Sequence, residues 1–238
     1  MNMSGWTLLT GSTGVVGRLL LANLLKSQSS VAVLVRSRPG ASAAERVERG
    51  LCRLEDRFQI RLPRPTVLEG DLTMPGLGLS PRDRDRAAKN CRRVLHSAAS
   101  LSFAPASQHS GNEPYRTNLD GTRHLTEFCE QAGISEFHYV STAYVCGTQT
   151  GSIAETPSAA QDFANDYERS KALAEEWLRE RRPIRSLTIY RPSIVIDPQD
   201  PDAAETEQAI TTAFATYQLL ASKFGIPAPG TWLKNLGL

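Results

Sequence analysis

Apolar positions along the chain follow two alternating patterns. Trp6–Thr10 and Val31–Val35 are short runs of apolar residues, and residues 66–70, residues 93–97, the FHYVST stretch and Ser186–Tyr190 read the same way, as strands. Between them the spacing changes to that of helices. After the first run, Val16, Leu20 and Leu24, with Leu21 and Leu25, form the apolar stripe of a helix lying on a sheet. Strand and helix patterns alternate over residues 1–197, which predicts an α/β fold: a doubly wound parallel sheet with helices on both faces. A chain of 238 residues with 40% apolar content can bury such a core. Beyond it, residues 198–238 are expected to form an acidic, proline-containing linker and a partial C-terminal segment. That segment would hold a helix through Ile210, Ala213, Phe214, Tyr217 and Leu220 and an apolar end at Trp232, Leu233, Leu236 and Leu238.

The first strand runs directly into TGSTGVVGRLLLANLL, where Gly11, Gly14 and Gly17 are spaced as G-x-x-G-x-x-G. Gly11 suits a tight turn out of the strand, Gly14 close approach of backbone to a pyrophosphate, and Gly17 close packing of helix on sheet. The helix N-terminus then faces the phosphates, with Thr13 and Val15 as further contacts. The second strand ends in Arg36-Ser37-Arg38, where an acidic residue would suit the ribose hydroxyls of NAD and arginine suits a 2′-phosphate. Arg46, on the next helix, either folds back onto the same phosphate or belongs to the solvated face that Glu45, Glu48 and Arg49 suggest.

Tyr167 and Lys171 stand four residues apart in YERSK, so a helix sets them on one face. The ammonium is expected to lower the pKa of the phenol toward working pH. Such a pair also arises on ordinary amphipathic helices, and it gains weight from the glycine turn at the other end of the chain. Thr142 in FHYVSTAYVCG supplies a hydroxyl, with Ser141 as its neighbouring competitor; strand alternation lets only one of them face the cleft, and register favours Thr142.

Together these residues resemble the extended short-chain dehydrogenase/reductases, NAD(P)-binding proteins of the Rossmann superfamily, from residue 6 to about residue 196. The resemblance implies that Asp71-Leu72 hold the adenine, although Asp71 serves equally as a turn former. It implies that Ala98 and Ala99 of HSAASLSF pass beneath the cofactor, that Asn118 supports the active-site lysine, and that Pro192 and Val195 of RPSIVIDP lie under the nicotinamide. Asn118 also fits a plain helix hydrogen bond. Within the family, HSAASLSF, FHYVSTAYVCG, YERSKALAE and IYRPSIV look most like the fatty acyl reductase and thioester reductase branch. That branch implies NADP(H) as cofactor and reduction of an acyl chain held as a thioester on coenzyme A or a carrier protein. Tyr167 would be the acid, Thr142 its partner on the carbonyl and Lys171 the ribose contact. The rival readings are a nucleotide-sugar epimerase or dehydratase, which needs more basic residues after Arg191 than Lys223 and Lys234, and a non-catalytic NADP-binding sensor or scaffold. Extended members continue into a small substrate domain, so the chain reads as a fragment or an excised reductase core.

The net charge of +2 gives no reason to expect nucleic acid, and RDRDR at 82–86 reads as a solvated face. RERRPIR at 179–185 suits either an acidic partner or a helix C-terminus. The cysteines at 52, 91, 129 and 146 and the histidines at 96, 109, 124 and 138 are scattered, arguing against a metal site or a disulfide framework. No stretch has the length of a membrane span, and the first strand begins too early for a signal peptide, a pattern that predicts a cytoplasmic setting. Members of the superfamily often pair through the helices after strands four and five, so a homodimer is a further expectation.

Overall fold

The computed structural model describes residues 5–103, 105–106, 111–157 and 160–195. In chain order it contains β1 (Trp6–Thr10), α1 (Val15–Lys26), β2 (Val31–Val35), α2 (Ala43–Phe58), β3 (Thr66–Glu69), α3 (Pro81–Asn90) and β4 (Cys91–His96). These are followed by α4 (Gly121–Ala132), β5 (Glu136–Val140), α5 (Asp166–Arg179) and β6 (Ser186–Tyr190). The strands form one sheet in the order β3-β2-β1-β4-β5-β6, with every pairing parallel. This is the doubly wound order of the Rossmann fold, whose ligands bind outside the strand C-termini where the winding reverses, between β1 and β4.

Alternation along the strands divides the core into two layers. Leu9, Val31, Val33 and Val35 face Leu21 and Leu25 of α1 and Val47, Leu51 and Leu54 of α2. Leu8, Ala32, Leu34, Val94, Phe137 and Tyr139 face the other way, onto Leu125 and Phe128 of α4 and Ala174 and Leu178 of α5. Burying one such leucine contributes ~1.5–3 kcal/mol, so packing holds α5 in place although its own sequence is largely polar. On the α1 side, a groove of about 820 Å³ lined by Leu20, Leu24, Leu95, Val140, Ile189 and Tyr190 runs over β4, β5 and β6.

Local signals fix where the helices start. Ser42 and Glu45 form a reciprocal capping box at α2, with Ser42 Oγ accepting from Glu45 N at 3.2 Å and the Glu45 carboxylate accepting from Ser42 N at 2.8 Å. At α5, Asn165 Oδ1 accepts from Glu168 N at 3.0 Å, which sets Tyr167 in the first turn. Strand boundaries differ from expectation at three strands: β3 ends at Glu69 rather than residue 70, β4 runs from Cys91 to His96 rather than over residues 93–97 because Cys91 already pairs with Trp6 of β1, and β5 covers Glu136–Val140 and stops short of Ser141 and Thr142. RDRDR lies on α3, whose buried side is Ala87. A π-helical turn, Arg116–Asp120, precedes α4.

Among the described residues no helix is long and apolar enough to cross a membrane, and no cluster of His, Cys, Asp or Glu could hold a metal ion. The expected division at 197/198, the acidic linker, the helix from Ile210 to Leu220 and the apolar end at Trp232 to Leu238 lie outside the described residues.

Candidate active site

The turn after β1 is built on backbone contacts. Gly11 has φ +76°, and a Cβ there would lie 2.5 Å from the Ala98 amide nitrogen, so the loops leaving β1 and β4 touch at the point where the winding reverses. Gly14 N donates to Gly11 O at 3.0 Å, closing the turn, and Gly14 then caps α1 with no side chain over the first-turn amides. Those free N–H groups, the positive end of the helix dipole and the buried Ser12 hydroxyl, which has no hydrogen-bond partner, make a cradle that fits a pyrophosphate. Val15 is buried, so it offers only its N–H, while Thr13 is exposed.

Arg46 does fold back. Its guanidinium donates to Arg36 O and, at 3.2 Å, to Thr13 Oγ1. Partial burial and then the charges of Arg38 and Arg36 lower the Arg46 pKa, placing three cations within electrostatic reach of one another. Arg36 also approaches Asp71 Oδ2 at 3.9 Å. Asp71 performs the turn role too: its Oδ1 accepts from Thr73 N and Thr73 Oγ1 at 2.9 and 2.8 Å. Burial pushes this carboxyl up, but those bonds, with Arg36 and Arg116, outweigh it and hold it below the usual range. Leu72 turns inward, packing in the core against Gly121, and its carbonyl lies 3.1 Å from His124 Nδ1. Its side chain is therefore withdrawn from the surface where an adenine contact was expected.

At the end of β4, His96 is fully buried between Thr10 Oγ1 (2.6 Å) and Thr122 Oγ1 (3.0 Å), and burial followed by the Lys171 charge drops its value to about 3. It is a neutral brace at the reversal point, which its isolation in the sequence did not reveal. Ala98 N donates to Thr10 Oγ1 at 3.2 Å, and Ala99 is exposed. Asn118 sits in the π-turn, a distortion often found at functional sites. Its Oδ1 accepts from Ser100 N at 2.8 Å, and its Nδ2 donates to Ser100 O at 3.0 Å and Ser170 Oγ at 2.9 Å. Asn118 thus ties the segment after β4 to the residue next to Lys171 rather than to Lys171 itself.

β5 ends at Val140, so Ser141 and Thr142 both lie beyond it and the strand alternation that would let only one of them face the cleft does not apply. Both are buried. Ser141 N donates to Tyr190 O at 2.7 Å and its hydroxyl has no partner, whereas Thr142 caps the short turn Ala143–Cys146. Thr142 is the one that acts on Tyr167. Burial raises the Tyr167 phenol above its ordinary value, the Thr142 side chain opposes that shift, and Glu168 adds to it. The expectation of a phenol made more acidic by Lys171 is therefore corrected. Lys171 is fully buried with its ammonium donating to Val140 O at 2.7 Å and lying 4.1 Å from the Tyr139 ring, and desolvation of the phenol dominates. Burial lowers Lys171 itself to about 7, against the pull of Glu175.

Two supports escaped the sequence reading. The Asp166 carboxylate accepts from Tyr115 Oη at 2.7 Å and Ala106 N at 2.8 Å, strapping the segment after β4 beside Tyr167. Phe103 of that segment meets the Tyr167 ring edge-on at 5.7 Å. Pro192 O accepts from Ala143 N at 2.9 Å, joining the exit of β6 to the Thr142 loop, and Val195 is exposed further along.

A parallel sheet in this order, a glycine turn at its reversal point and a Tyr-x-x-x-Lys helix at the same edge define an NAD(P)-binding domain of the extended short-chain dehydrogenase/reductase class. Within that class the chain belongs to the NAD-binding family described as Male sterility protein, whose model matches residues 9–232. Fatty acyl-CoA reductase 1 of Homo sapiens is 30% identical over 223 residues, covering 79% of this chain and 42% of that protein. The terminal R domain of the myxalamid PKS-NRPS biosynthetic pathway superposes with a TM-score of 0.68 at 26% identity, covering 81% of this chain and 50% of that one. The UDP-Glc/GlcNAc 4-epimerase of Campylobacter jejuni, at a TM-score of 0.64 and 23% identity over 92% of this chain and 63% of its own, shares the fold. The chain spans 35–42% of the length of the fatty acyl-CoA reductases it matches.

Proposed function

We propose that this chain carries the cofactor site and catalytic residues of an NADPH-dependent reductase of acyl thioesters, acting on an acyl group held by coenzyme A or a carrier protein. The observation that carries the reading is the meeting of Thr142 with Tyr167, one helical turn from buried Lys171, beside the uncapped start of α1. Family membership supports it, since relatives are named fatty acyl-CoA reductases and a similar solved structure is a terminal R domain. Arg46, which donates to Thr13, and the charges of Arg36 and Arg38 acting on it favour a 2′-phosphate, hence NADPH over NADH.

When bound, the reduced nicotinamide supplies hydride for the thioester carbon. Thr142 and Tyr167 donate hydrogen bonds to the carbonyl oxygen, and Tyr167 delivers its proton there as negative charge builds. Lys171 steadies the phenolate that remains and holds the ribose. Loss of the thiol then leaves the aldehyde.

The test is titration with NADPH and NADH, followed by acyl-CoA and carrier-bound acyl thioesters while the absorbance of the reduced cofactor is monitored. Thioester-dependent oxidation with a preference for NADPH is expected. Tight NADPH binding with no turnover on either thioester class would overturn the reading in favour of a binding module.

A further inference from the structure

Tyr167, Lys171 and Glu175 recur every four residues, so α5 turns one stripe of three titratable side chains toward the sheet. Glu175 is 3% exposed, and a carboxylate so buried needs close partners. It has them: Arg191 Nε donates to Oε1 at 3.0 Å and Arg191 Nη2 to Oε2 at 2.6 Å, a forked contact, with Arg179 at 3.5 Å. Arg191 Nη1 also donates to Thr156 O at 2.8 Å. Arg191 follows directly on β6, and the next residue, Pro192, receives the Ala143 amide beside Thr142. The pair therefore locks α5 to the β6 exit and, through it, to the Thr142 loop.

We propose that Glu175, anchored by Arg191, is a positioning residue for Lys171, keeping its ammonium charged and held below Tyr167. The inference rests on the catalytic role given to Lys171 above. Among the described residues, the groups acting on Lys171 are the Val140 carbonyl and Tyr139 ring of β5, His96 of β4 and Glu175 of its own helix, with Tyr167 one turn before it. His96 is neutral and the tyrosines hold their protons, so the compensating anion is Glu175. Around Glu175 stand Arg191 and Arg179, and Glu155 acts on Arg191 from the preceding loop. A purely structural salt bridge would fix α5 without altering how Lys171 titrates. A positioning role makes the two inseparable.

The experiment follows the Cε resonance of isotopically labelled Lys171 through a pH titration of the apoprotein, assigned with Lys171→Met, so the readout does not depend on turnover. Glu175→Gln removes the charge and keeps the shape, and the Lys171 midpoint is expected to fall by on the order of one pH unit. Glu175→Asp keeps the charge but withdraws it by a methylene, and a smaller fall is expected. If Glu175→Gln does not fold, the Asp variant alone decides. A wild-type midpoint in folded Glu175→Gln, or in the Asp variant where Gln fails, overturns the proposal. In an enzyme shown to oxidise NADPH, the alkaline limb of kcat/KM should move down with the midpoint, because the active form carries the proton. A shifted midpoint in a protein without turnover would sustain the Glu175 role and sink the reductase reading instead.

Discussion

Gly14 and Gly17 share one motif but stand in different surroundings, and alanine at each should separate fold from cofactor binding. At Gly17 an added Cβ would lie 2.0 Å from the Gly11 carbonyl oxygen, 2.6 Å from its carbon and 3.0 Å from Ser12 N. All three are backbone atoms. That backbone is pinned, because Gly11 O already accepts from Gly14 N at 3.0 Å and Gly11 itself abuts the Ala98 amide. The clash can be relieved only by lifting α1 off the layer formed with Leu9 and Val33, which loosens Leu21 and Leu25. Overpacking of this kind costs ~1–3 kcal/mol, and rigid neighbours argue for the upper end, a fall in Tm of roughly 6–12 °C for a chain of this size. At Gly14 the added carbon would sit 3.5 Å from Gly11 O, in ordinary contact, and φ −88° with ψ 171° suits alanine. Gly14→Ala should therefore melt with the wild type while NADPH affinity falls at least about tenfold, ~1.4 kcal/mol, because the methyl occupies the phosphate approach. Calorimetry of the apoproteins and fluorescence titration with NADPH provide both readouts. A Gly17→Ala protein that melts with the wild type, or a Gly14→Ala protein that melts as low as Gly17→Ala, would refute the assignment.

Tyr167→Phe should lower kcat by at least ~10²-fold with the NADPH Kd unchanged, since the lost hydroxyl serves the substrate oxygen; steady-state rates beside a binding titration check both halves. Arg46→Ala should weaken NADPH by about tenfold, the worth of a partly exposed charge-assisted contact, and leave NADH binding as it was. Lys171 gives apoprotein stability a definite pH slope. Its folded value of about 7 lies below the ordinary 10.5, so the unfolded chain holds more protons between those limits and stability rises with pH across that window. The cost of burying the ammonium is fully present below the window. Thermal melts at both ends should show the slope in wild type and a flattened one in Lys171→Met.

The parts of this fold that were legible are those whose information is local. β2 is an unbroken apolar run and β1 a largely apolar one, both interior to the sheet, and Tyr167 and Lys171 announce a shared helix face by their spacing. What the sequence hid depends on partners far along the chain. Arg191 finds Glu175 only because β6 returns beside α5, and His96 is explained only by Thr10 and Thr122 closing on it from other elements. Glu175 was within reach, since extending the four-residue spacing one step beyond Lys171 arrives at it. Register favoured Thr142, but the rule that only one of Ser141 and Thr142 could face the cleft rested on a premise the structure removes. Strand alternation fails there because β5 has already ended, and Thr142 owes its orientation to capping the next turn.

The electrostatics of the apoprotein bear on the direction of the proposed reaction. Burial raises Tyr167, so the phenol keeps its proton at neutral pH, and a held proton suits donation to an oxygen gaining charge. Oxidation would ask the same group to begin as a base, which this surrounding disfavours. Lys171 is lowered to about 7 by the same burial and is thus poised where a nearby charge decides its state. The site therefore starts with an acid already loaded and a cation whose charge leans on Glu175. Those are the states the proposed reduction would draw on, and they make the Glu175–Arg191 pair the place where a conservative change should be felt in the pH profile before it is felt in the fold.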